Sequence, residues 1–215
     1  MAGLGETETR LILIRHGETG WNVQGRYQGQ ANPPLNACGR AQAERLAQSL
    51  REVGLDMLYA SPLRRAWGTA LVVAQVLHLP LYEEPRLKEI LLGEWQGMLY
   101  QDIMTQYPEL LRDWKENPWS VRPPGGETLS EVQRRVYQAV EEILARHEGR
   151  CVGLVTHETP LAMLLMRFRG LGPEVVGQLH WPNTHWEEIR VAGSLSADVA
   201  QGGIRQDAKS SQQGN

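Results

Sequence analysis

Apolar residues fall in short runs separated by amphipathic stretches. The first run, Leu11 to Ile14, is continuous and lies between Arg10 and Arg15. A continuous run of this length predicts a strand buried on both faces, as in a parallel sheet. A polar, glycine-rich loop follows from Arg15-His16-Gly17 to about Asn36. Asn36 can cap a helix over 37–53, where Ala41, Leu46, Ala47 and Leu50 recur at helical spacing and Gly54 ends the run. Met57 to Ala60 predicts a second strand. Ala66, Ala70, Val73, Val76 and Leu77 predict a helix closed by Pro80, and Leu79 to Tyr82 a third strand. From 86 to 126 the pattern is irregular, with short helices near 98–106 and 108–116 and Pro-rich linkers. The capping box Thr128-Leu-Ser-Glu131 opens a helix to about His147, stopped by Gly149. Val152 to Val155 forms an apolar strand ending at Thr156-His157, followed by a helix over 159–169 and a last strand near 185–191. Strands alternating with helices indicate an α/β fold built from βαβ units. From Gly193 onward the sequence is small, polar and aperiodic, which predicts a flexible tail at 193–215 beside a single domain over 1–192.

Composition narrows the partners. A length of 215 residues suits one domain, and 41% hydrophobic with 22% charged residues supports a packed core. Lys plus Arg number 22 and Asp plus Glu 25, a net charge of -3. That balance argues against bulk attraction to nucleic acid or an anionic membrane. Cys38 and Cys151 form neither a metal cluster nor a disulfide framework and are expected to be reduced thiols. No apolar run approaches the ~18–20 residues that span a bilayer, and the opening MAGLGETETR lacks the pattern of a secretory signal. The expectation is a cytoplasmic protein; its oligomeric state stays open, a homodimer among the alternatives.

Two apolar strands end at a histidine: His16 follows LILIR and His157 follows VGLVT. Ligands of open α/β sheets bind beyond the carboxyl ends of the strands. If the two strands are parallel neighbours, both histidines reach one cleft. A lone histidine is more often a packed structural residue, and the shared topological position is what favours chemistry here.

These residues belong to a longer pattern. Leu11-Ile-Leu-Ile-Arg15-His16-Gly17-Glu18-Thr19-Gly20-Trp21-Asn22 is followed by Arg26-Tyr-Gln28-Gly29 and Pro34-Leu35-Asn36-x-x-Gly39-x-x-Gln42-Ala43. Then come Ser61-Pro-Leu-Arg-Arg65-Ala66-x-x-Thr69-Ala70, Leu87-Lys-Glu89 with Gly93-x-Trp95-x-Gly97, Gly125-Gly126-Glu127-Thr128, and Val155-Thr156-His157. In this order the motifs resemble the histidine phosphatase superfamily, in its phosphoglycerate-mutase-like branch, over about residues 10–192. The resemblance implies a three-layer α/β/α sandwich around a mostly parallel sheet, with a small lid insertion at about 95–126.

The resemblance also implies roles. His16 would be the nucleophile that forms a phosphohistidine. Arg15 and Arg65 would fork onto phosphate oxygens with charge-assisted bonds that Lys cannot duplicate. His157 would donate to oxygens gaining charge, and Glu89 would protonate the leaving oxygen. Asn22, Gln28 and Thr19 would line the phosphate site. Glu94 competes with Glu89 for the acid role, and family spacing favours Glu89. Arg64 would point outward, and Glu18 would be structural. His78, His147 and His180 fall outside the motifs and are expected to be solvated or packed; His185 lies closer to the final strand. Metal and other cofactors are not expected, because the cluster holds cations and two free histidines and no group of carboxylates spaced as Mg²⁺ ligands. The chain departs from the pattern at Glu158-Thr159-Pro160, where small residues such as Gly are common, and Glu158 must point away or be offset. Gly68 stands where Gln is common.

The branch contains mutases and phosphatases. Within 95–126 the cations are Arg112, Lys115 and Arg122, against Trp95, Tyr100, Tyr107, Trp114 and Trp119. That balance suits one small phosphate monoester better than a bisphosphate. The expectation is a metal-independent small-metabolite phosphatase similar to phosphoserine and α-ribazole phosphatases, with phosphoserine the first substrate to test. A cofactor-dependent phosphoglycerate mutase and a catalytically weak phosphoprotein-binding module are the alternatives.

Overall fold

A computed structural model describes residues 8–192; the expected tail lies outside the described residues. Strand β1 (Glu8–Arg15) leads through helix α1 (Gly20–Gln24) into α2 (Ala37–Ser49). Strand β2 (Met57–Ala60), helix α3 (Arg64–Leu77) and strand β3 (Leu81–Glu83) follow. Helices α4 (Tyr100–Gln106) and α5 (Pro108–Glu116) precede the long α6 (Leu129–Arg146). Strand β4 (Cys151–Thr156), helix α7 (Glu158–Arg169) and strand β5 (Trp186–Ala192) complete the domain.

The five strands form one sheet in the order β3-β2-β4-β1-β5. Only β5 runs antiparallel, against β1. Leu11 to Ile14 and Val152 are fully buried, as the continuous apolar runs require of central parallel strands. Leu11 and Leu13 pack with residues of α6 and α7, whereas Ile12 and Ile14 pack with residues of α2 and α3. The two-residue alternation of a strand thus supplies both cores, giving three layers. Gly153 sits between them because Leu58 covers it: a Cβ there would lie 2.4 Å from Leu58 Cδ2.

The differences from the expected elements have local causes. Strand β1 runs past the apolar core to Glu8, because Glu8, Thr9 and Arg10 pair with β5. Helix α2 stops at Ser49, and a separate tight turn over Arg51–Val53 ends at left-handed Gly54. Helix α1 was hidden in a polar segment. It forms through a capping box in which Thr19 and Asn22 exchange side-chain and backbone bonds.

Candidate functional site

Strands β1 and β4 are parallel neighbours in the register Arg15 to Thr156. Their chain exits therefore leave side by side, and His16 N–H bonds the Thr156 carbonyl at 3.1 Å. The His16 and His157 rings meet with centroids 5.1 Å apart. Both are almost fully buried.

The loop after β1 is fixed from three sides. Gly17 N–H donates to Thr69 Oγ1 of α3 at 2.9 Å. Gly39 of α2 lies against it so closely that a Cβ would be 2.1 Å from the Glu18 carbonyl oxygen. The segment before β5 closes the third side. His185 O accepts from Arg15 N–H at 3.0 Å, and His16 O accepts from Thr184 N–H at 3.2 Å and Asn183 Nδ2 at 3.0 Å.

Partners fix the state of each histidine. His16 Nδ1 lies 2.7 Å from the Gly17 carbonyl. A carbonyl only accepts, so Nδ1 carries the proton and Nε2 keeps its lone pair. Arg65 Nε donates to that Nε2 at 3.3 Å. Burial first, and then the Arg65 charge, hold His16 well below the ordinary histidine pKa; the bond to Gly17 opposes them. His157 is lowered too, by burial and then by Arg65. Its Nε2 lies 2.8 Å from Ser61 Oγ, and its Nδ1 is buried without a partner. With the Ser61 hydroxyl donating to Nε2, Nδ1–H is a donor awaiting an acceptor.

Two guanidinium groups flank the rings. Arg65, in the first turn of α3, is 1% exposed and is braced by the carbonyls of Ala31 at 2.9 Å and Gly29 at 2.7 Å. Burial lowers its pKa to about 10, so it stays charged at neutral pH. Arg64 is exposed, as the spacing predicted. Arg15 donates to the Trp181 carbonyl and pairs with Glu158 at 2.8 Å, while its Nε is buried and unpartnered. Glu158 is therefore offset by Arg15 rather than turned away. Its carboxyl pKa is raised, mainly by burial, despite the Arg15 charge.

A cleft of about 740 Å³ opens over these groups, lined among others by Arg15, His16, Asn22, Gln28, Arg65 and Glu89. Glu89 Oε1 accepts from Ile90 N–H at 2.9 Å, leaving Oε2 as the oxygen available to the cleft. Glu94 is exposed, accepts the Tyr107 hydroxyl and takes no part in the lining. Gln28 carries a buried, unpartnered Oε1. The Asn22 carboxamide oxygen is spent on Thr19 N–H and hydroxyl, both at 3.0 Å. Thr19 itself is fully buried as the cap of α1 and is absent from the lining. His185 packs on Trp181 at 4.5 Å, away from the lining, and His147 meets the Tyr59 hydroxyl at 2.9 Å. The far wall includes Trp114, Trp119, Val176 and Leu179; the last two come from a segment in which the sequence shows no motif. Among the described residues, no group of three or more His, Cys, Asp or Glu side chains could hold a metal ion. Nor is any helix among them long and apolar enough to cross a membrane.

Comparison with known proteins places the chain in a family. Residues 11–197 match the family profile described as Histidine phosphatase superfamily (branch 1). Phosphoserine phosphatase 1 of Hydrogenobacter thermophilus is 42% identical over 162 residues, which cover 75% of this chain and 77% of that protein. Among solved structures, Bacillus stearothermophilus YhfR superposes with a TM-score of 0.82 at 35% identity, covering 92% of this chain and 98% of that one. A mycobacterial glucosyl-3-phosphoglycerate phosphatase, solved with VO3, superposes with a TM-score of 0.76 at 32% identity, covering 83% and 90%.

Proposed function

This chain belongs to the histidine phosphatase superfamily, and we propose that it hydrolyses a small-metabolite phosphate monoester through a phosphohistidine on His16. The observation that carries the reading is His16 itself: a neutral imidazole at the cleft floor, with Nδ1 tied to a carbonyl and Nε2 facing Arg65. Nε2 attacks phosphorus as the ester P–O bond breaks. Arg65 and the free Arg15 Nε neutralise the phosphate oxygens, and His157 Nδ1–H fills its vacancy by donating to one of them. Glu89 gives its proton to the leaving alkoxide and then takes one from the water that attacks the phosphohistidine, releasing inorganic phosphate. Asn22 and Gln28 border the bound group, whereas Thr19 acts at one remove by holding Asn22 in its cap.

Hydrolysis is favoured over a bisphosphate mutase by the supply of cations. Of the three in the insertion, Arg112 is paired with Asp113 and Arg122 with Glu131; only Lys115 lines the cleft. We read 95–126 as a lid of the one domain, since Trp114 to Trp119 contribute to the cleft wall. O-Phosphoserine is the first candidate substrate, supported by the relative named for it. A cytoplasmic location and action without nucleic acid or membrane belong to the same proposal.

The test is phosphate release from a panel of phosphorylated metabolites, O-phosphoserine included, in EDTA. Activity is expected to survive chelation. Acid-quenched protein should carry label from phosphate-labelled substrate, and His16→Ala should lose both label and turnover. Label persisting in His16→Ala would reject the assignment. A coupled assay on 3-phosphoglycerate with bisphosphoglycerate distinguishes a mutase.

A further inference from the structure

Glu89 stands on a segment that the secondary structure does not hold. Residues 88–92 lie between two tight turns, Pro85–Leu87 and Gly93–Trp95, with no strand partner. Backbone groups of such a segment need other partners. Here one ion pair supplies several of them. Arg135, on α6, donates from Nη1 to the carbonyls of Arg86 and Lys88, both at 2.6 Å, and from Nη2 to the carbonyl of Glu89 at 3.0 Å. Its remaining two donors grip Glu127, Nε to Oε1 and Nη2 to Oε2, each at 3.0 Å. All five N–H donors of the guanidinium are thereby used.

Glu127 continues the hold. Its Oε2 accepts from Leu91 N–H at 2.8 Å, and its own N–H donates to the Leu91 carbonyl at 2.8 Å. Gln30 Nε2 adds a second bond to the Glu89 carbonyl at 3.1 Å. The pair is largely shielded, with 16% of the Arg135 and 21% of the Glu127 side chain exposed. Gly126 permits the approach: a Cβ there would lie 2.5 Å from the Leu91 carbonyl oxygen.

We propose that Arg135 and Glu127 are positioning residues that set the Glu89 carboxyl against the leaving oxygen. Neither lines the cleft. They act on the backbone either side of Glu89, from Arg86 to Leu91. An acid displaced by about 1 Å loses much of its effect on the leaving group, while phosphate binding by the arginines continues. The proposal rests on the reading of Glu89 as leaving-group acid.

The experiment compares benzyl phosphate, whose alkoxide must be protonated, with p-nitrophenyl phosphate, whose phenolate leaves unaided. Arg135→Lys keeps the charge but cannot reproduce five directed donors; Glu127→Gln is the second variant, should the first fail to fold. Each should lower kcat/KM, which reports only the steps up to the phosphohistidine, by on the order of 10- to 100-fold on benzyl phosphate and by only about threefold or less on p-nitrophenyl phosphate. Combined with Glu89→Gln, neither should add its full loss. Equal losses on the two substrates, or no loss on benzyl phosphate, would overturn the positioning role. Glu89→Gln alone separates the two ideas. If it fails to discriminate the substrates, the acid assignment falls and takes this role with it. If it discriminates and the Arg135 and Glu127 variants do not, only the positioning role falls.

Discussion

Replacing His16 by Gln removes a group whose neutrality the fold enforces, and the consequence is visible in stability. His16 and His157 are both held well below the ordinary histidine pKa by burial and by Arg65. The unfolded chain takes up protons near the unperturbed value of ~6.5, while the folded chain refuses them. The stability tied to each neutral ring is therefore complete above ~6.5 and is lost as pH falls below it. While the native ring stays neutral, each histidine costs about 1.4 kcal/mol per pH unit, so the pair costs about 3 kcal/mol by pH 5.5. His16→Gln lacks one of these terms. Glu158, with its raised pKa, contributes in the opposite sense, but it is present in both proteins and cancels in the difference. Urea unfolding at pH 7.5, 6.5 and 5.5 gives each stability by linear extrapolation. The variant should gain about 1.4 kcal/mol relative to the parent between the highest and lowest pH. Parallel curves would refute the reasoning, because they would mean that His16 takes up a proton in the folded protein as easily as in the unfolded one.

Glu158→Gln removes a negative charge beside the anion site, so inhibition by inorganic phosphate should tighten about fivefold, roughly 1 kcal/mol; weaker inhibition would show that the carboxylate's main effect is to hold Arg15 in place. Gly39→Ala drives a Cβ into the Glu18 carbonyl and should cost about 2–3 kcal/mol in thermal or urea unfolding while slowing turnover; an unchanged midpoint would show that the loop yields freely.

The layout of the sheet was legible because its signals are local. Continuous apolar runs mark β1 and β4, Asn36 and Thr128 mark helix starts, and strand ends mark His16 and His157. Arg65 and Glu89 were reached through motif order, since neither residue alone distinguishes chemistry from a surface charge. Most of what escaped the sequence depends on contacts distant along the chain or on a single cap that leaves no periodicity. The pairing of Arg15 with Glu158 spans 143 positions and leaves no periodic trace. Helix α1 arises from one reciprocal cap inside a polar stretch, where periodicity is silent. Thr19 looked like a phosphate ligand because it stands in the signature, yet its hydroxyl is committed to that cap. The outer wall at Val176 and Leu179 comes from a segment without motif or regular element, positioned only by the packed fold.

The closure of the His16 loop by Asn183, Thr184 and His185 has a consequence for how the protein is made. His16 leaves the ribosome well before the groups that bind its carbonyl, which are 167 and 168 positions behind it. Strand β5, which pairs along nearly all of β1, arrives later still. A nascent chain can assemble the parallel strands β1 to β4 while β1 still presents an open edge to solvent and to other chains. The histidine loop then gains its last backbone partners only after Asn183 and Thr184 have been synthesised. Premature termination ahead of residue 183 should therefore yield a collapsed but inactive and aggregation-prone product rather than a weak enzyme.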